Sequence, residues 1–130
     1  HRLGTREIEE ALSSNPLVAE TAVVGVADEL KGQVVAAFVV LKDPSAAADS
    51  ASQQAAQQAL MATVDQQLGA IARPARVLFV TALPKTRSGK LLRRSIQALA
   101  EGRDPGDLTT LDDPSTLEQV QQALQRGMRT

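Results

Sequence analysis

Residues 18–41 read VAETAVVGVADELKGQVVAAFVVL, two β-branched runs separated by a polar turn. The runs at 18–26 and 34–41 have the length of strands, and the turn ADELKGQ joins them. The second run is apolar almost without interruption, which favours a central strand with both faces covered. The segment therefore predicts two consecutive strands, the second of them central.

A helix is predicted before these strands. Thr5 is in position to cap it, and Asn15-Pro16 ends it. Its apolar and acidic positions separate onto two faces: Ile8, Ala11 and Leu12 on one, Glu7, Glu9 and Glu10 on the other.

The rest of the chain predicts a loop, a strand and three further helices. Residues 43–52 are a low-complexity loop, and a long helix follows from about residue 53, with Gly69 as its C-cap. Residues 76–80 are a third strand.

Two helices close the predicted order of elements. Ser88 is expected to cap the first and Gly102 to end it, while Asp113-Pro114 opens the second. The segment 101–114, EGRDPGDLTTLDDP, is too rich in Pro, Gly and Asp for regular structure. The order predicts an α+β fold, a small three-stranded sheet with helices packed on it.

The composition excludes several functional classes. Cysteine is absent and His1 is the one histidine, which argues against disulfides, thiolate chemistry, Ser-His-Asp catalysis and His-rich metal sites. Two Phe, with no Tyr or Trp, argue against base stacking on nucleic acid. No apolar run reaches the roughly 20 residues that cross a bilayer. We expect a cytoplasmic piece of a longer protein.

Positive charge is concentrated in one short stretch. Residues 85–94 contain five of the 14 cations and no acid, in a chain of net charge −1. The stretch, PKTRSGKLLRR from Pro84, combines a stiff entry, a Ser88-Gly89 turn and Lys90 near a predicted helix start, where anions are favoured. It is not a Walker A loop, because Pro84 stands where that loop requires glycine. The residues alone leave two readings open, a phosphate-handling lysine and a solvated basic helix start.

Three segments together resemble one family. PKTRSGK (84–90) is similar to the last core motif of adenylate-forming enzymes, HRLGTREIE (1–9) to the block after their hinge, and VVGVADELKGQ (23–33) to the next block. In this order they resemble the C-terminal lid domain of AMP-forming acyl-CoA synthetases. The resemblance implies a lid at 1–103 and an extension at 104–130 whose final helix packs on the same domain.

The resemblance also implies an activity in two steps. A carboxylate attacks ATP to give acyl-AMP and pyrophosphate, and CoA then takes the acyl group after the lid rotates. ATP with Mg²⁺ and CoA would be substrates, none tightly bound to this domain, and the partner would be an N-terminal adenylation domain of the same polypeptide. The fragment alone would be inactive. The tail 101–114 and the loop near 43–55 resemble propionyl-CoA synthetases more than acetyl-CoA synthetases.

Roles for single residues follow from the same resemblance. Lys90 matches the catalytic lysine, which would also undergo N6-acetylation by an acetyltransferase and be restored by a deacetylase. Arg2 matches an arginine near the nucleotide phosphate. Arg87, Ser88 and Gly89 would support the loop.

Two further alternatives stay open. Backbone carbonyls of Ser13, Asn15 and Val18 match a cation site of some acetyl-CoA synthetases, with an ordinary hydrogen-bonded helix end as the competing reading. The basic stretch 85–94 would also suit a nucleic-acid-binding module, although the acidic remainder and the few aromatic residues argue against one.

Overall fold

The fold is seen in a computed structural model that describes residues 4–28, 30 and 32–127. The predicted order of elements is confirmed. They are α1 (Thr5–Ser13), β1 (Val18–Asp28), β2 (Gly32–Leu41), α2 (Ser50–Leu68), β3 (Arg76–Phe79), α3 (Arg93–Ala100) and α4 (Pro114–Gly127), with 3₁₀ turns at Pro44–Ala47 and Ala70–Ala72.

The strands form one sheet in the order β1-β2-β3. β1 and β2 pair antiparallel, with Val23 opposite Ala37, and β2 pairs parallel with β3. Because parallel neighbours need a long crossover, α2 connects β2 to β3. The predicted α+β class and the central position of β2 are both confirmed.

Each face of the sheet carries a separate core. One core joins the sheet to α1 and α2 through residues such as Leu12, Val39 and Leu60. The other joins it to α3 and α4 through Phe38, Ile96 and Val120. Side chains alternate along β2, so Phe38 and Val39 enter opposite cores. This two-sided burial explains why the β2 sequence is apolar at nearly every position.

Two helix starts differ from the sequence predictions. Gly4, not Thr5, is the N-cap of α1. Its carbonyl oxygen accepts the Glu7 N–H at 3.2 Å, and its own N–H donates to the Glu7 carboxylate at 3.4 Å. The long helix α2 begins at Ser50, three positions early. There the Asp49 carboxylate accepts a hydrogen bond from the Ser52 N–H at 2.8 Å and acts as the cap. Gly69 is the C-cap, as predicted.

Helix α3 runs along the outer edge of β1. The Gln97 amide donates to the Gly25 carbonyl oxygen at 2.7 Å, and the Glu101 carboxylate accepts from the Ala27 N–H at 2.7 Å. Four residues of helix rise about 6 Å, and two residues of strand rise about 6.6 Å. These two distances are nearly equal. Side chains one helical turn apart on α3 therefore reach successive outward-facing peptide groups along the edge of β1.

The same edge is covered at Val23 by an ion pair. Glu9 of α1 accepts the Val23 N–H at 2.7 Å and also binds both terminal nitrogens of Arg93. The hydrogen bond to Glu9 raises the pKa of Arg93. The sequence placed Glu9 on the acidic face of α1 and indicated no partner for it. The start of α3 folds over Glu9 and leaves its side chain only 13% exposed.

Candidate functional site

Lys90 lies on a short β-hairpin formed by residues 84–92, called here the lysine hairpin. The Leu92 N–H donates to the Pro84 carbonyl at 3.0 Å, and the Thr86 N–H donates to the Lys90 carbonyl at 2.8 Å. Lys90 therefore precedes α3 instead of lying in its first turn. Ser88 does not cap that helix, whose N-cap is Leu92, because residues up to Leu91 are paired across the hairpin.

A three-residue turn, Arg87-Ser88-Gly89, closes the lysine hairpin. The Gly89 N–H donates to the Thr86 carbonyl at 2.9 Å, and Gly89 has φ +93°. A left-handed third residue is typical of hairpins with three-residue loops. Glycine is needed here for its backbone, since a side chain would find no atom within 4 Å to hinder it.

Sequence reasoning missed Thr86, which contacts Lys90 directly. Its hydroxyl oxygen accepts the Lys90 N–H at 3.0 Å and lies 3.0 Å from the Ser88 hydroxyl. A signal was available, because threonine and serine hydroxyls often hydrogen-bond backbone groups next to turns. Thr86 stands immediately before the three-residue turn of the lysine hairpin.

Residues 109–112 brace the other side of the lysine hairpin. Thr86 and Leu111 form an antiparallel bridge, the Asp112 N–H donates to the Lys85 carbonyl at 2.9 Å, and Leu111 is buried. The Arg87 guanidinium donates to the Thr109 carbonyl at 3.2 Å. Arg87 thus ties the turn to the C-terminal extension, and the hairpin is held on two sides.

The five cations of the basic stretch have different surroundings. Lys85 pairs with Glu20 at 2.9 Å, Arg93 pairs with Glu9, and Arg87 binds a backbone carbonyl. In the described part of the chain, no carboxylate lies within ion-pairing distance of Lys90 or Arg94. Lys90 is exposed at the end of a braced hairpin. Of the two lysines in the motif, it is the one whose ammonium is available to an added anion.

The other predicted site residues are Arg2 and a set at the end of α1, namely Ser13, Asn15 and Val18. Arg2 lies outside the described residues. At the end of α1, the Asn15 carbonyl accepts the Val18 N–H at 3.1 Å, as in an ordinary helix end. Within residues 4–28, 30 and 32–127 no group of three or more His, Cys, Asp or Glu could hold a metal ion. A cation held by the Ser13, Asn15 and Val18 carbonyls stays a prediction.

A surface cavity of about 450 Å³ lies between the 3₁₀ turn after β2, the end of β3 and α4. It is lined by residues such as Phe79, Gln119 and Arg126, and by none from the lysine hairpin. Lys90 therefore projects from the surface rather than into this cavity. None of the helices that the structure describes has the length and apolarity needed to cross a membrane.

Comparison with known proteins identifies the family. The family model of the AMP-binding enzyme C-terminal domain matches residues 7–90. The chain belongs to this family. The match confirms the resemblance that the three sequence motifs indicated, and its last matched residue is Lys90.

Relatives of this AMP-binding enzyme C-terminal domain include two kinds of ligase. The propionate–CoA ligase of Salmonella typhimurium is 61% identical over 125 residues, covering 96% of this chain and 20% of the relative. The acetyl-coenzyme A synthetase of Pyrobaculum aerophilum is 50% identical over 123 residues, covering 95% and 18%. The chain thus spans about a fifth of the length of these relatives.

Solved structures share the fold of the domain. An acyl-CoA synthetase from Brucella canis matches with a TM-score of 0.59 and 38% identity, covering 70% of this chain and 16% of that one. An acetoacetyl-CoA synthetase from Streptomyces lividans matches with a TM-score of 0.73, covering 97% and 18%. Its 22% identity supports the fold alone.

Proposed function

We propose that this domain is the C-terminal part of a cytoplasmic AMP-forming ligase that converts propionate, ATP and CoA into propionyl-CoA, AMP and pyrophosphate. Family membership supports the class of enzyme. Propionate is favoured over acetate because propionate–CoA ligases reach 61% identity and the acetyl-coenzyme A synthetase of Pyrobaculum aerophilum 50%. An acetate–CoA ligase is the second candidate.

Lys90 is proposed to act in the first half-reaction. A carboxylate oxygen of the acid attacks the α-phosphorus of Mg²⁺-bound ATP, and pyrophosphate leaves. The two reactants are both anionic, so a cation between them lowers their repulsion and stabilises the charge of the transition state. The exposed Lys90 ammonium, with no carboxylate at ion-pairing distance among the described residues, is suited to this position. That observation carries the proposal.

The partner surface is proposed to be an adenylation domain that precedes this one in the same polypeptide. Lys90 is exposed on the lysine hairpin, and no residue of this hairpin lines the cavity of about 450 Å³, so we expect another surface to supply the bound substrates. The domain alone is expected to be inactive. In the second half-reaction, the CoA sulfur attacks the acyl carbon and AMP leaves, after the domain has rotated to remove Lys90.

Reversible N6-acetylation of Lys90 is proposed to regulate the first step. Acetylation converts the ammonium into a neutral amide and removes the cation on which adenylation depends. The exposed position at the end of the hairpin would let an acetyltransferase and a deacetylase reach the side chain.

The test compares Lys90→Gln and Lys85→Gln in the full-length enzyme that carries this domain. Lys85 is the matched control, a lysine of the same hairpin that is paired with Glu20. We expect Lys90→Gln to slow pyrophosphate release by at least about a hundredfold, the usual loss for one electrostatic group. Thioester formation from supplied propionyl-AMP should continue. Normal adenylation by Lys90→Gln, or equal loss of both half-reactions, would refute the role.

Acyl specificity needs a separate measurement. The kcat/KM values of the full-length enzyme for propionate and acetate are compared under the same conditions. A higher value for propionate supports the proposal, and a higher value for acetate favours the second candidate.

A further inference from the structure

Both peptide groups next to the Lys90 Cα are bonded to Thr86. The Thr86 N–H donates to the Lys90 carbonyl at 2.8 Å, and the Lys90 N–H donates to the Thr86 hydroxyl at 3.0 Å. In a regular antiparallel pair the second bond would go to the carbonyl of the opposite residue. Here that carbonyl accepts the Gly89 N–H instead. The hydroxyl therefore replaces a backbone acceptor that the turn has used.

The Thr86 hydroxyl is itself oriented by Ser88. The two hydroxyl oxygens are 3.0 Å apart. Because the Thr86 oxygen accepts the Lys90 N–H, its own hydrogen is free to be donated to the Ser88 oxygen. Ser88, Thr86 and Lys90 thus form a short chain of hydrogen bonds across the turn.

Thr86 is also held from outside the lysine hairpin. Its antiparallel bridge to Leu111 lies between two flanking bonds, from the Asp112 N–H to the Lys85 carbonyl at 2.9 Å and from the Arg87 N–H to the Thr110 carbonyl at 3.3 Å. Leu111 is buried and anchors this segment. The position of the Lys90 backbone is therefore fixed through Thr86 to residues 109–112, beyond the part that the family model matches.

We propose that Thr86 is a positioning residue for Lys90, whose hydroxyl fixes the backbone from which the ammonium reaches the reacting carboxylate and phosphate. The inference rests on the adenylation role proposed for Lys90. In this role Thr86 acts through Lys90 rather than on a substrate. Its effect comes from geometry, because a displacement of about 1 Å at a reacting group can cost a hundredfold in rate.

Thr86→Val and Thr86→Ser in the full-length enzyme test this inference. Valine keeps the shape of threonine but leaves the Lys90 N–H without its acceptor, whereas serine keeps the hydroxyl. We expect Thr86→Val to lower kcat for adenylation about tenfold with KM values for ATP and propionate unchanged, since a loss of roughly 1.4 kcal/mol is a factor of ten. Thioester formation from propionyl-AMP should be unaffected in Thr86→Val. The Thr86→Ser variant should adenylate propionate at a rate within about twofold of the wild-type rate.

Thr63→Val is the matched control. The Thr63 hydroxyl accepts a hydrogen bond from the Asn15 amide at 2.9 Å, on α2 and the opposite face of the sheet. Loss of this hydroxyl in Thr63→Val should lower the midpoint temperature of unfolding without slowing adenylation. If Thr86→Val slows both half-reactions alike and Thr86→Ser does not rescue it, Thr86 is only structural and the inference fails.

The Lys90→Gln background separates this inference from the function on which it rests. Adding Thr86→Val to Lys90→Gln should cause no further loss of adenylation if Thr86 acts through Lys90. A further tenfold loss would overturn the inference. If Thr86→Val is as fast as wild type while Lys90→Gln is inactive, the inference fails and the proposed function stands. If Lys90→Gln adenylates normally, the proposed function itself fails.

Discussion

Arg93, the first residue of α3, forms a two-pronged ion pair with Glu9 of α1, 84 positions earlier in the chain. The two helices belong to opposite cores, and the pair joins them around the edge of β1. Arg93 also comes directly after the lysine hairpin. The contact therefore fixes the end of the hairpin relative to the rest of the fold.

Replacing Glu9 by glutamine should weaken the domain. Glutamine keeps the shape but removes the charge that binds both Arg93 nitrogens, so we expect the free energy of unfolding to fall by about 1 kcal/mol. This expected loss of stability is modest because the Arg93 side chain is 42% exposed and its charge is partly screened by solvent. Urea denaturation measures it, with Glu10→Gln on the exposed side of α1 as the control. Equal stability of the two variants would contradict the prediction.

A second prediction concerns the left-handed residue of the turn. Gly89→Ala should lower the free energy of unfolding by about 1–2 kcal/mol, since an L-residue at φ +93° is strained. Gly89→Asn should lower the free energy of unfolding by less than Gly89→Ala, because asparagine tolerates a positive φ better than alanine does. Both variants are compared by urea denaturation. An alanine variant as stable as the asparagine variant would mean that the turn relaxes without cost.

The pH dependence of stability provides a third prediction. The hydrogen bond from the Ala27 N–H, and then the contact with Arg103, lower the pKa of Glu101. Since the folded-state pKa is below the unfolded-state value of about 4.3, the stabilisation is present above that pH. It is lost as the pH falls through the folded-state pKa. Denaturation from about pH 6 to pH 3 should show a smaller loss for Glu101→Gln than for wild type.

Parallel curves for the two proteins would contradict this assignment. Asp43, Asp49 and Asp107 also have lowered pKa values, from hydrogen bonds to Ser45, Ser52 and Thr109. These carboxylates titrate in both proteins, so the difference between the curves isolates Glu101.

A fourth prediction tests whether residues 104–127 belong to the folded domain. Leu124 of α4 is buried against the sheet, so Leu124→Ala should cost about 2 kcal/mol or more. Ile71, which is 93% exposed, is the matched aliphatic control and should lose almost nothing when changed to alanine. Urea denaturation checks both. If Leu124→Ala is as mild as the control, the extension is an appendage rather than part of the core.

The sequence predicted the elements better than their contacts. Strands 18–26 and 34–41 and the face of α1 formed by Ile8, Ala11 and Leu12 are local patterns, and the structure confirms them. The contact of Glu9 with Arg93 was not predicted, because Arg93 lies on a distant helix, which no local pattern can indicate.

The sequence singled out Lys90 as a candidate site residue but did not indicate its surroundings. Lys90 was recognised from a contiguous motif, whereas the brace at Leu111 joins segments 25 positions apart. Ser88 was expected to cap a helix because serine favours that position. Pairing of Lys85 with Leu91 competed with helix formation and delayed the helix to Arg93.

The matched repeats of α3 and β1 have a consequence for how this domain meets other proteins. An open strand edge invites a further strand from a neighbouring chain. At Gly25 and Ala27, such a strand would find the peptide groups already bonded to Gln97 and Glu101. The domain can therefore meet a neighbouring protein surface without pairing with it as an added strand along this edge.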